Sequence, residues 1–336
     1  MVQVGHADVR AAGELLTEGR RHFVILNPAA GRRRGRRRLE AYRRLLEASL
    51  PEATIRFTTR AGEERAFAEQ AAADGYEVVV AVGGDGTWSN VADRLLASGR
   101  ENVALGILPS GTGNDFGRNF GYDPRSPADA VRVLAEGHVR TVDVGRVESL
   151  STPDQGGGEP ESRHFLNVVG FGFDIAVIDA AAGARFLKGE LLYKVTALQQ
   201  LFRFEGFGAR LEPASGGFRE ARHLMLTVSN GRYFGGGFPI APAATVSDGL
   251  LHACRIEDAV NPLARLRLFN RAERGRHVGS AGVEVLGDAG FRLTFAAPPR
   301  FEVDGDVRRA VSETVELRVL PGALRVVAPP AHDGTR

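Results

Sequence analysis

The sequence predicts an α/β fold built on a mostly parallel sheet, followed by an antiparallel, β-rich second half. Three observations carry this. Between residues 22 and 111, apolar runs alternate with stretches of helical periodicity and end in glycine-rich turns, the pattern of a parallel sheet with helices on both faces. After about residue 140 that pattern gives way to short strands separated by turns. Hydrophobic residues make up 43% and charged residues 25% of the 336-residue chain, which argues against a disordered or fibrous protein.

The elements follow in order. HFVILNP (22–28) reads as a buried strand entering a turn, and Leu39, Tyr42, Leu45, Leu46 and Leu50 then recur at helical spacing. ATIRFTTR (53–60) alternates like a strand, and residues 62–75 form a helix closed by Gly75. EVVVAVGGDG (77–86) is a strand running into glycines, residues 87–98 return to helix, and VALGILPSG (103–111) is strand then turn. RTVDVGRVESL (140–150) opens the second half, and the Gly/Pro-rich 151–162 reads as a hairpin loop. HFLNVVGFGFD, RHLMLTVSN, GLLHACRIE, GVEVLG, FRLTFA, RFEVDGD and TVELRVL read as strands, interrupted by one clear helix from about Leu187 to Phe204.

Composition narrows the class. The length suggests two domains or one large one. A single cysteine, Cys254, excludes a disulfide framework and a cysteine-rich zinc site. No apolar run reaches the roughly 18–20 residues of a membrane span, and the N-terminus lacks the layout of a cleaved signal, so a cytoplasmic protein is expected. Net charge is only +2, but residues 20–44 hold ten arginines against one acid, Glu40. Such a run suits nucleotide phosphates, anionic head groups or nucleic acid, and equally a solvated basic turn and helix start.

Three loops fall at the carboxyl ends of the predicted parallel strands, where open α/β sheets bind ligands. They are Asn27–Gly31, Gly83–Thr87 and Pro109–Asp115. In Gly83-Gly84-Asp85-Gly86-Thr87, glycines admit an anion to the backbone N–H groups and the following helix start favours negative charge. Asp85 makes sense among phosphates when a divalent cation lies between them. A capped βα turn is the plainer alternative. The chain has no P-loop, no dinucleotide G-x-G-x-x-G after its first strand and no protein-kinase signature set.

Together, NPAAG, GGDGT, PSGTGNDFGR, NVVGFGFD (167–174), GGGFPIAPAATVSDGLL (235–251) and VDGD (303–306) resemble the diacylglycerol kinase catalytic family. That family includes bacterial lipid kinases and the sphingosine and ceramide kinases. The likeness runs in order from about residue 20 to 328. GGDGT alone is shared with NAD kinases; PSGTGNDF and SDGLL make the assignment specific. The resemblance implies a nucleotide domain like that of NAD kinase and a sandwich-like second domain, with the active site in the cleft between them. It implies boundaries at 18–140, with 318–328 returning to it, and at 141–317 for the lipid-substrate domain, leaving 1–17 and 329–336 as tails.

It also implies roles. Asn27, Pro28, Ala29, Ala30 and Gly31 match the first phosphate loop, and Thr58 a nucleotide contact. Gly83, Gly84, Asp85, Gly86 and Thr87 match the principal triphosphate loop, and Thr112 the second. Asp85 and Asp115 match acids that organise catalytic Mg²⁺, and Asp306 the base that deprotonates the lipid hydroxyl. Thr245, Asp248 and Leu250 match a separate structural metal site suited to Mg²⁺ or Ca²⁺. The chain departs from the family at Ala30, often Ser; at Ser89-Asn90, commonly Asn-Glu; and at Asp306, usually Glu. The last leaves Asp304 as an alternative base. Arg32 or Arg33 would add a positive clamp.

The expected activity is ATP- and Mg²⁺-dependent phosphorylation of a membrane lipid hydroxyl of the diacylglycerol type. An NAD kinase-type soluble phosphotransferase is the alternative. A nucleic-acid binder is disfavoured, because it leaves the three loops and VDGD unexplained. Residues 185–204, with Leu187, Leu191, Leu192, Val195, Leu198, Leu201 and Phe202 on one face, and the basic stretch 265–277 are candidates for peripheral contact with an anionic membrane. Docking on the β domain explains the first of these at least as well, and a solvated helix is the alternative for the second. His277 is expected to be structural. A homodimer is left open.

Overall fold

The computed structural model describes residues 14–15, 19–123, 126–150, 161–183, 190–258 and 261–330. The side chains of 32–36 and 190–195 and the loop 151–160 lie outside the described residues, and with them the Arg32/Arg33 clamp and the predicted hairpin loop.

After a two-residue strand β1 (Glu14–Leu15), the first half runs β2 (His22–Leu26), α1 (Arg32–Ser49), β3 (Thr54–Phe57), α2 (Glu63–Ala73), β4 (Val78–Gly83), α3 (Asp85–Ala97), β5 (Ala104–Pro109), α4 (Asp115–Arg118) and α5 (Pro127–Glu136). β3, β2, β4 and β5 pair in that order and in parallel. Every residue of β4 and β5 is buried, the continuous apolar reading of a strand covered on both faces. Helices pack in pairs, α1 with α5 and α2 with α3. The arginines of 32–38 sit in the first two turns of α1, not in a turn before it. Glu14 and Leu15, read from sequence as tail, pair with Val139 and His138.

The second half is β6 (His138–Leu150), β7 (Glu161–Phe165), β8 (Val168–Gly172), α6 (Phe173–Gly183), α7 (Glu190–Arg203), β9 (Phe207–Pro213), β10 (Arg219–Ser229), β11 (Tyr233–Phe234), β12 (Phe238–Pro239), β13 (Leu251–Glu257), α8 (Pro262–Ala272), β14 (Val283–Asp288), β15 (Gly290–Phe295), β16 (Arg300–Val303), β17 (Asp306–Arg309) and β18 (Thr314–Val327). Strand pairing within it is antiparallel, as the pattern predicted. The α/β half and the β-rich half are as expected. Helix is under-read, however: the FGFD run, whose last two residues are expected as strand, turns at Gly172 (φ +99°) into α6, which the sequence leaves unassigned beyond Asp174. Apart from Asp174 and Asp179, α6 is Ala, Val, Ile, Phe and Gly, so it carries no clear amphipathic signature.

Two long strands join the halves. Residues Arg325–Val327 of β18 lie parallel to Ala104–Gly106 of β5, while β18 also pairs antiparallel with β6 over most of its length. The shared sheet is therefore continuous, with one apolar core around β2, β4, β5 and Trp88 and a second around Phe165, Phe171, Phe291 and Phe301. A third core lies under α7 and α8. Asp143 staples the junction: its carboxylate accepts hydrogen bonds from the N–H groups of Gly249 (2.7 Å) and Gly322 (2.8 Å).

Candidate active site

Three loops meet at the carboxyl ends of β2, β4 and β5. Asn27 is held by its own turn, its Oδ1 accepting from Ala29 N (3.0 Å), and its Nδ2 donates to Thr87 Oγ1 (3.0 Å). The first and principal loops are thus tied together. Gly84 and Gly111 touch backbone to backbone; a Cβ on Gly111 would lie 2.5 Å from Gly84 Cα, so no side chain fits there. Asn114, at φ +54°, closes the third loop by exchanging hydrogen bonds with Gly111. Thr112 is exposed at its tip, whereas Thr58 is buried beneath, its N–H bonded to Leu26 O (2.9 Å).

Asp85 begins α3, and its Oδ1 accepts from Phe116 N (3.0 Å). Asp115 Oδ2 accepts from Gly236 N (2.8 Å); its Oδ1 is buried without a hydrogen bond, 3.4 Å from Arg118 Nε. The position of a Cβ on Gly113 lies 3.0 Å from Asp85 Oδ2 and 3.5 Å from Asp115 Oδ2, so the two carboxylates face a common point. Burial, and then the neighbouring Asp115 charge, push the Asp85 carboxyl up to about 7; burial also raises Asp115. Two crowded carboxylates with an orphaned buried oxygen fit a hard divalent cation, which would neutralise both.

Asp304 and Asp306 differ sharply. Asp304, at φ +49°, accepts from the N–H groups of Leu166 (2.7 Å), Asn167 (3.0 Å) and Val168 (2.9 Å) and is buried. Burial raises its carboxyl despite those donors and Ser89. Asp306 is 38% exposed, paired with Arg163 (3.2 Å) and Arg308 (3.4 Å). Its Oδ1 lies 3.5 Å from the Cβ position of Gly86, over the start of α3. Asp306 thus joins the principal loop and the Asp85–Asp115 pair at one locus.

Thr245, Asp248 and Leu250 stand elsewhere. The Asp248 carboxylate accepts from Thr245 N (2.9 Å) and Leu250 N (3.0 Å) and meets His252 Nε2 (3.0 Å). The turn closes on itself, and among the described residues no group of three His, Cys, Asp or Glu side chains is placed to hold a metal.

The sequence reading overlooked several contributors. Arg163 reaches Asp306 from β7 and also donates to Asn90 Oδ1 (2.8 Å). Asp174, raised to about 7 by burial, and Glu302, also raised by burial and by Asp174, are buried acids beside Gly170. NVVGFGFD contained the first of these acids and RFEVDGD the second, but nothing in either run showed that they meet. His277 is buried, its Nε2 against Ile240 O (3.0 Å), in keeping with a structural place.

Residues 21–147 match the diacylglycerol kinase catalytic domain, and residues 167–328 the YegS C-terminal NAD kinase beta sandwich-like domain. The chain is 31% identical over 270 residues to the diacylglycerol kinase of Mycobacterium tuberculosis (strain ATCC 25618 / H37Rv), spanning 80% of this chain and 82% of that protein. It is 32% identical over 290 residues to "Probable lipid kinase YegS-like" of Pseudomonas aeruginosa PAO1, covering 83% and 85%. A crystal structure of a diacylglycerol kinase from Bacillus anthracis str. Sterne superposes with a TM-score of 0.69 over 94% of this chain and 99% of that one, at 21% identity, a likeness of fold. This chain belongs to the diacylglycerol kinase catalytic-domain family and is a lipid kinase of that type.

Proposed function

We propose that the protein transfers the γ-phosphoryl group of ATP to the hydroxyl of a diacylglycerol-like membrane lipid, with Mg²⁺ as the divalent ion. The observation that supports this most is the convergence of Asp85, Asp115 and a solvent-reachable Asp306 on the glycine-rich start of α3. The Asn27–Gly31, Gly83–Thr87 and Thr112 loops would bind the triphosphate through backbone N–H groups, with Thr58 beneath them. Asp85 and Asp115 would hold the metal, which when bound neutralises charge on the phosphate oxygens. Asp306 would accept the hydroxyl proton. Its side chain is the partly exposed one, whereas Asp304 spends its oxygens on backbone N–H groups. Residues 18–140 with 318–328 would carry the nucleotide, and 141–317 the lipid.

The lipid must be met at a bilayer surface. No helix among the described residues is long and apolar enough to cross a membrane. Leu198 and Phe202 of α7 are 43% and 49% exposed and Leu263 of α8 is 66% exposed, while Leu201 of α7 is buried in the third core. α7 packs on α8, and Arg203, Arg267, Arg271, Arg274 and Arg276 are exposed nearby in sequence. The helix pair is thus both docked and partly bare, which suits peripheral contact with anionic lipid. A structural ion at Thr245–Leu250 is a separate proposal, read by whether Mg²⁺ raises the melting temperature of wild type but not of Asp248→Ala.

The test is Asp85→Asn. Transfer from labelled ATP into a total lipid extract should fall by several kcal/mol of transition-state stabilisation, about a thousandfold, with the fold intact by circular dichroism. Near-normal turnover would overturn the metal role.

A further inference from the structure

Behind the Asp115 loop lies a cavity of about 150 Å³ where α4, β6 and the segments around β11 meet, lined by Arg118, Arg140, Arg232, Tyr233, Thr245 and Ser247. Among the described residues, no acidic side chain lines it. Of its three guanidinium groups, Arg118 alone has an acidic partner among the described residues, Asp115 (3.4 Å). Arg140 lies over the Phe120 ring, 5.3 Å from its centre, and burial alone lowers its pKa, with no carboxylate opposing the shift. Arg232 Nε is buried and has no hydrogen-bond partner among the described residues. The backbone fixes its position, since Arg232 N donates to Asn119 Oδ1 (2.9 Å).

A buried guanidinium donor without an acceptor is costly, and the Arg232 fork, with Arg140 beside it on the same small cavity, is chemically incomplete. The missing component is an acceptor-rich anion. Guanidinium forks match the oxygens of a tetrahedral oxyanion, and the Thr245 and Ser247 hydroxyls add donors. The volume is below the usual range for organic ligands, so an adenine nucleotide is not the fit. We propose that this cavity is a second anion site, distinct from the triphosphate loops, that binds a phosphate-class oxyanion, either inorganic phosphate or the phosphomonoester head group of a lipid.

The experiment uses the full chain saturated with Mg²⁺ and a non-hydrolysable ATP analogue, so that the triphosphate loops are filled. Inorganic phosphate is titrated by calorimetry and thermal shift. Wild type should bind one phosphate per chain, and Arg232→Gln should weaken this at least tenfold. Arg140→Gln should do the same and guards against a folding defect in the first variant. Both variants should keep lipid phosphorylation within twofold of wild type without added phosphate, which separates this site from the kinase reading. Vesicles of phosphatidylcholine with or without phosphatidic acid distinguish the sources. Arg232-dependent capture by phosphatidic acid, competed by phosphate, assigns the head group; Arg232-dependent phosphate binding with Arg232-independent vesicle capture assigns the free ion. Phosphate binding that is absent, or equal in wild type and both variants, together with vesicle capture indifferent to Arg232, overturns the proposal.

Discussion

Arg163 Nη2 lies 3.2 Å from Asp306 Oδ2, and the same nitrogen donates to Asn90 on α3. A residue of β7 thereby fixes the carboxylate of β17 over the helix that begins the triphosphate loop. The Arg163 side chain is 4% exposed, so its guanidinium is held in place and orients the Asp306 carboxylate. Asp306→Ala should lower kcat about 10²–10⁴-fold with a small change in KM for ATP, because a base acts in the chemical step. Asp306→Glu should retain much of the activity. Arg163→Gln should also lower kcat far more than it raises KM for ATP, because it disorients the carboxylate without touching the nucleotide.

Asp304 is expected to govern stability. Its removal strands three buried N–H donors, so Asp304→Ala should cost on the order of 3 kcal/mol, read from the urea midpoint at constant slope. A variant that melts normally but has lost all turnover would instead make Asp304 the base.

Acid stability should report Asp93. It binds Arg65 (3.0 Å), Arg94 (2.6 Å) and both the N–H and the ring of His164 (3.1 Å each), tying α3 to α2 and β7. Burial pushes its carboxyl up, but the His164 and Arg94 hydrogen bonds outweigh this and hold it well below the usual carboxylate range. A depressed folded pKa contributes stability above the unfolded value, about 3.9, and loses it as pH falls further. Asp93→Asn should therefore cost about 3 kcal/mol near pH 6, with the gap to wild type closing below roughly pH 4 in denaturation curves.

Charge reversal at Arg274 and Arg276 should weaken sedimentation with anionic vesicles and leave ATP affinity unchanged. Each basic residue near such a surface contributes about 1 kcal/mol, screened by salt. Vesicle binding insensitive to both the variant and ionic strength would place the membrane face elsewhere.

Local pattern made the parallel half legible. β4 and β5 are unbroken apolar runs, and GGDGT and PSGTGND mark their ends. The pairing of Asp85 with Asp115 depends on the Gly84–Gly111 contact, across 27 residues, and so came only through the family likeness. Arg163 was invisible because a lone arginine in ESRHF carries no periodic or motif signal; it meets Asp306, 143 residues on, only once β7 and β17 are folded. α6 was left unassigned because its mostly apolar residues show no helical alternation of polar and apolar faces.

The central claim is that the acceptor is a lipid hydroxyl. The most direct measurement compares transfer from γ-labelled ATP, with Mg²⁺, to diacylglycerol in anionic mixed micelles against transfer to NAD in lipid-free buffer. The account predicts labelled phosphatidic acid and negligible labelled NADP, with both Asp85→Asn and Asp306→Ala strongly reduced. Robust phosphorylation of NAD, with none of diacylglycerol or of any alcohol in a total membrane lipid extract, would contradict it.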